Sequence, residues 1–149
     1  MRHIYIALIV LLMGSPAVPQ TLSSGAGPLL VTKMLDGLDT PWALAFLPGG
    51  DYLVTERDGT LLFVSNGSAT RVRNVPKVAT KGQGGLLDVM VPRDFASSGE
   101  VFLTYARRQK GGSATAVVVA QLAKNGRALE NVRRIFDASP ASSSSRHFG

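Results

Sequence analysis

Two side chains in this sequence are equipped for chemistry: His147, in the terminal stretch Arg146-His147-Phe148-Gly149, and Gln83, in Lys81-Gly82-Gln83-Gly84-Gly85. An imidazole titrating near neutrality is the usual group for taking a proton from an alcohol at physiological pH. On residue type alone, however, a single histidine after four serines is more often a solvated tail residue. Gln83 is crowded by three glycines just before a strand-like run, "LLDV". Glycine lets backbone approach a ligand closely, and the glutamine amide offers both a donor and an acceptor. A glycine-rich turn before a strand is most often only a turn, and this spacing fits neither a Walker loop nor a dinucleotide fingerprint.

Other chemistries are excluded. The chain has no cysteine, no G-x-S-x-G, and no histidine besides His3 and His147, so a His/Cys metal site is ruled out. The aspartates fall mainly at turns and strand edges, where side-chain-to-backbone bonding accounts for them, and none forms a loop with calcium spacing. The formal charge of +6 is spread over pairs such as Arg71 and Arg73, Arg107 and Arg108, and Arg133 and Arg134. These read as solvated strand faces and turns. A nucleic-acid surface would gather basic residues on one face with aromatics for stacking, so no nucleic-acid partner is expected.

The elements that must position Gln83 and His147 begin after an export signal. Arg2 precedes the apolar run "IYIALIVLLM", and Ser15 and Ala17 supply a small-x-small cleavage pattern, so residues 1–17 read as a signal peptide. The run is about half the roughly 20 residues needed to span a bilayer, and no other segment could cross one. Export without cysteines suits a periplasmic or secreted protein. Residues 18–28 read as a flexible leader. From Leu29 onward, short β-type runs alternate with turns: "LLVTKML", "WALAFLP", "DYLVTE", "TLLFVS" and "TRVRNV". Pro48-Gly49-Gly50-Asp51 and Arg57-Asp58-Gly59-Thr60 are tight connections, the second a hairpin signal.

A second set follows in the same order: "LLDVMVP", "EVFLTYA", "AVVVAQL" and "NVRRIF". Pro48 answers Pro92 at an offset of 44, and Arg71 answers Asn131 at an offset of 60, which places insertions at "RDFASSG" and "RRQKGGSA". A period of about 40 to 50 residues with four strands per unit is the signature of β-propeller blades, the alternative being a single β-sandwich. Propellers close with four to eight blades, so two leave apolar faces exposed. Gln83 falls at the entrance of the second unit and His147 at the corresponding entrance of a third. The serine run, residues 141–149, is expected to be poorly ordered.

The run "LDTPWALAFLPGGDYLVTERDGTLLFV", followed by "GQGGLLDVMVPRDFASSGEVFLTYA" and "RHFG", resembles the glucose/sorbosone dehydrogenases, the soluble pyrroloquinoline-quinone-dependent aldose sugar dehydrogenases. The resemblance implies an all-β, six-bladed propeller, of which residues 29–149 supply the first two blades and the start of the third. It implies oxidation of an aldose or related sugar alcohol, with hydride passing to pyrroloquinoline quinone and electrons then to an external acceptor. His147 matches the family's general base, and Gln83 its glutamine facing substrate and cofactor. Calcium is implied as well, its ligands expected beyond residue 149. Glucose-oxidising members carry an aspartate where this chain has Arg146. That guanidinium is open between contacting an anionic cofactor group or substrate and pointing to solvent. A non-catalytic propeller that kept the architecture and lost the chemistry is the alternative.

Overall fold

The computed structural model describes residues 20–146 and 148. These fall in two bodies, divided between Met34 and Leu35. In the first, β1 (Gln20–Ser24) and β2 (Gly27–Val31) pair antiparallel, with Ser24 opposite Gly27 and Gln20 opposite Val31. The turn is closed by the Ser24 hydroxyl, which donates to the Gly27 carbonyl (2.7 Å) and accepts from the Ala26 N–H (3.2 Å). The sequence there reads as a flexible leader, and "LLVTKML" as a strand of the repeat; the structure instead has a hairpin of its own. Pairing is made by backbone groups, which small polar residues possess as fully as large ones.

The second body holds two four-stranded sheets. The first runs in spatial order β3 (Pro41–Phe46), β4 (Tyr52–Glu56), β5 (Thr60–Ser65), β6 (Ser68–Arg71). Its turns form where the sequence puts them. Asp58 accepts from the Thr60 N–H (2.8 Å), and Gly59 takes φ +110°, a conformation that side chains with a Cβ rarely adopt. The second sheet is β7 (Leu86–Met90), β8 (Glu100–Gln109), β9 (Gly112–Leu122), β10 (Leu129–Asp137), again an antiparallel meander.

The expected insertions take two different forms. "RDFASSG" becomes a single helical turn, α1 (Phe95–Ser98), stopped by Gly99 in the left-handed conformation, its N–H bonded to the Phe95 carbonyl. "RRQKGGSA" is not a loop. It lengthens β8 and β9, which pair in unbroken register from Glu100 opposite Gln121 to Gln109 opposite Gly112. The residues are polar, but the ladder continues to a two-residue turn at Lys110 and Gly111.

The main core lies between the sheets, and a smaller cluster of Tyr52, Val54, Leu62 and Val64 with Leu35 and Leu38 lies on the other face of the first sheet. Leu53 and Leu61 from the first, with Val72 just after β6, pack with Leu86, Val101, Leu103, Val118 and Leu129 from the second, several of them fully buried. Each such leucine contributes about 1.5–3 kcal/mol by leaving water. Strand β3 shows why only one of its faces is covered. Ala43 and Ala45 turn toward this core, while Trp42, Leu44 and Phe46, pointing the other way, are 51%, 51% and 70% exposed. On β10, Val132, Ile135 and Phe136 are also exposed. Two blades packed on each other, with apolar side chains left exposed on β3 and β10, fit the expectation drawn from blade count.

Candidate functional site

The site residues gather at one end of the sheets because of strand direction. Strands β3 and β7 begin at this end; β4 and β8 finish there. The two sheets are tied together at this end through Thr55 on β4. Its hydroxyl, fully buried, accepts from the Ala43 N–H (3.0 Å) and donates to the Leu87 carbonyl on β7 (2.6 Å). A bulge between Pro41 and Ala43 interrupts the β3–β4 ladder at this point, and the threonine satisfies the amide there.

Arg57, the residue after β4, holds the glycine loop. One guanidinium nitrogen donates to the carbonyls of Thr80 (3.2 Å), Gly82 (2.8 Å) and Gly84 (3.1 Å). The Arg57 carbonyl accepts from the Leu86 N–H (3.1 Å), so the loop is fixed on both sides. The glycines are required by close approach of the chain to itself. A Cβ at Gly85 would overlap the Arg57 carbonyl, and one at Gly82 the backbone of Ser145. The sequence suggests that glycine there makes room for a ligand; the structure shows the room taken by neighbouring backbone.

Gln83 lies exposed at the tip of this loop, and its N–H donates to the Ser145 carbonyl (2.8 Å). The serine run therefore crosses the end of the second sheet and docks beside Gln83. It is anchored at its start by a two-way bridge between Ser113 and Ser142 (2.9 and 3.0 Å). At its finish Phe148 is 6% exposed, packed with Ala79, Leu87 and Ala106, and its carbonyl accepts from the Thr115 hydroxyl (2.9 Å). The expectation of a poorly ordered terminus is thus corrected for the described residues: backbone bonds and one buried aromatic hold it, and serine composition conceals both. Arg146 is exposed, its N–H donating to the Ser144 hydroxyl (3.2 Å). His147 lies outside the described residues, as does the export signal read at residues 1–17.

The structure thus brings Gln83 and Arg146 to one loop cluster, from sites 63 positions apart in the sequence. Arg57 is the residue that sequence reasoning missed. An arginine in a turn looks like a solvated cation, and its partners are carbonyls 23 to 27 residues away. Buried Glu56, beside it, accepts from the Asp39 N–H (2.6 Å) and fixes the entry to β3. Among the described residues no three His, Cys, Asp or Glu side chains group to hold a metal ion. A cavity of about 430 Å³ is at the opposite end, lined by Leu47, Phe63, Phe95 and Lys124, and holds neither Gln83 nor Arg146. No helix among the described residues is long and apolar enough to cross a membrane.

Known proteins share this architecture. The chain is 39% identical over 123 residues to the aldose sugar dehydrogenase YliI of Escherichia coli, covering 80% of this chain and 33% of that one. A crystal structure of a glucose dehydrogenase superposes with a TM-score of 0.73 at 42% identity, over 76% of this chain and 34% of the other. The PQQ-bound form of aldose sugar dehydrogenase from Streptomyces coelicolor gives a TM-score of 0.65 at 28% identity, over 85% and 36%. The chain spans about a third of the length of these relatives, and its two sheets are blades of a partial β-propeller. The profile described as Glucose / Sorbosone dehydrogenase matches residues 38–149, and the chain belongs to that family.

Proposed function

We propose that this chain is the N-terminal part of an exported quinoprotein that oxidises an aldose or related sugar alcohol. The observation that carries the reading is the clamped position of Gln83. Arg57 and Ser145 hold the loop so that the amide stands at the strand-entry end of β7, beside Arg146. An amide and a guanidinium are suited to an ortho-quinone that carries carboxylates: the first bonds carbonyl or hydroxyl, the second a carboxylate. Pyrroloquinoline quinone, when bound, supplies the two-electron acceptor for the hydride that leaves the sugar carbon. Gln83 orients the substrate hydroxyl, and Arg146 meets anionic charge on cofactor or substrate. His147 takes the hydroxyl proton as general base, completing the oxidation of a C–H/O–H pair to a carbonyl. The flanks of His147 are restrained by the Arg146 N–H and the Phe148 carbonyl.

Calcium ligands and the remaining cofactor contacts belong, in this reading, to residues beyond 149, so the isolated chain is inactive. The test is aldose oxidation by the full-length protein loaded with pyrroloquinoline quinone and calcium, with an artificial electron acceptor. Turnover that collapses in His147→Ala supports the proposal. Absence of turnover on every aldose, or an unchanged rate in the variant, sinks it. Calorimetric titration of the quinone separates the catalytic reading from a non-catalytic propeller, which shows no affinity.

A further inference from the structure

A second cavity, about 210 Å³, opens beside the Gln83 loop between the β8–β9 turn and the serine run, and is lined by Lys81, Arg108, Ser142–Ser145 and Phe148. No acidic residue lines it. Its two cations arrive from separate elements, Lys81 from the loop before β7 and Arg108 from the end of β8. Strand alternation divides the arginine pair: Arg107 turns to the face where it meets Asp137 (2.7 Å), and Arg108 to the face of the cavity. Among the described residues neither Lys81 nor Arg108 forms an ion pair.

The rest of the wall supplies donors on a fixed frame. The Ser142 hydroxyl accepts from the Ser144 N–H (3.0 Å) and the Ser144 hydroxyl from the Arg146 N–H (3.2 Å). A hydroxyl oxygen that accepts such a bond still has its own O–H to donate. The bridge between Ser113 and Ser142 and the bond from Gln83 to Ser145 pin the run at both ends, so little ordering remains to be done when something binds. A Cβ at Gly112 would overlap the Ser142 carbonyl, so that close approach requires the glycine. Phe148, buried against Ala79, Leu87 and Ala106, closes part of the cavity wall.

We propose that Lys81, Arg108 and the serine hydroxyls form a subsite for an oxyanion, a phosphate or carboxylate group, on the rim of the sugar site. A guanidinium, an ammonium and hydroxyl donors converging without a carboxylate are the chemistry that recognises such a group. The group has two possible bearers, an acidic or phosphorylated sugar substrate or an anionic electron acceptor. Binding of the anion stands apart from the proposed oxidation, whereas naming its bearer rests on that reading.

The experiment is calorimetric titration of the full-length protein with inorganic phosphate at constant ionic strength, compared with Lys81→Gln/Arg108→Gln. Both side chains are exposed, so the variant folds as the parent does. Loss of two charge-assisted contacts weakens phosphate about ten-fold or more. No heat with the parent, or equal affinity in the variant, overturns the subsite and leaves the oxidation reading intact. The kinetic arms identify the bearer. A KM increase for a hexose 6-phosphate, with the unphosphorylated hexose unchanged, assigns it to substrate. A KM increase for ferricyanide, with a cationic phenazinium acceptor unchanged, assigns it to the electron acceptor. Phosphate binding that is lost in the variant while all four KM values hold overturns a role in turnover.

Discussion

A guanidinium nitrogen of Arg57 stands 2.8 Å from the carbonyl oxygen of Gly82, and through that contact the end of the first blade holds the loop that carries Gln83. The same nitrogen reaches the Thr80 and Gly84 carbonyls. Three backbone acceptors around one cation define the loop more tightly than its glycines would by themselves.

Replacing Arg57 with Ala is expected to cost about 2 kcal/mol, in the range for hydrogen bonds to a charged group that is only half-buried. Arg57→Lys recovers little, because an ammonium on a flexible stem lacks the planar fork. Urea unfolding measures the loss. Amide exchange adds a local readout: the Gln83 N–H, bonded to Ser145, loses protection in both variants. Unchanged protection would show that the serine run holds the loop without the arginine.

Thr55 is the corresponding link inside the interface. Thr55→Val keeps the shape and removes the hydroxyl, leaving the partly buried Ala43 N–H and the buried Leu87 carbonyl without that partner. The expected loss is about 2–3 kcal/mol, since buried groups left unpaired cost their desolvation. Thr55→Ser retains the hydroxyl and should recover part of this. Equal stability of the Val and Ser variants would mean that packing, and not the bonded hydroxyl, joins the blades here.

These two residues mark how far the sequence was legible. Strand order, the Asp58-Gly59 hairpin and the repeat of four strands could be read because turns depend on residue type, glycine accepting φ values that others avoid. The placement of Gln83 at a strand entrance was legible for the same reason. What escaped was carried by backbone. The hairpin of Gln20–Val31, the Ser113–Ser142 bridge and the carbonyl cage around Arg57 depend on which segments meet in space. A serine that bridges and a serine that waves in solvent are spelled alike.

Acid should remove one particular tie across the second blade. Asp137 on β10 accepts from Arg107 on β8 (2.7 Å) and from Arg134 (2.6 Å). The hydrogen bond from Arg107 is the largest cause holding its carboxyl below the ordinary value of 3.8; partial burial opposes it, and the charges of both arginines assist. A carboxyl with a lower pKa folded than unfolded binds fewer protons in the native state. Its stabilisation is therefore complete above about pH 4 and is lost as pH falls through the folded value. The melting temperature of Asp137→Asn should lie below that of the parent at pH 7, with the gap closing toward pH 3. Salt should narrow it at pH 7, since the pair is partly exposed. A gap that is constant from pH 7 to pH 3 would contradict the assignment.

The open sides of the two blades govern how the 149-residue chain behaves by itself. Trp42, Leu44 and Phe46 form an apolar row on β3, and Val132, Ile135 and Phe136 stand exposed on β10. Among the described residues, strands β3 and β10 are also the edges of their sheets, with one neighbour each. Exposed apolar rows on unpaired edges favour association between copies. Sedimentation velocity on the isolated chain should show oligomers growing with concentration over roughly 1–100 µM, the range in which such surfaces self-associate. Trp42→Asp/Leu44→Asp should reduce that association without unfolding the core, because both side chains face away from it and join no buried cluster. A monodisperse, cooperatively melting monomer across the same range would show that two blades suffice to cover their own surfaces.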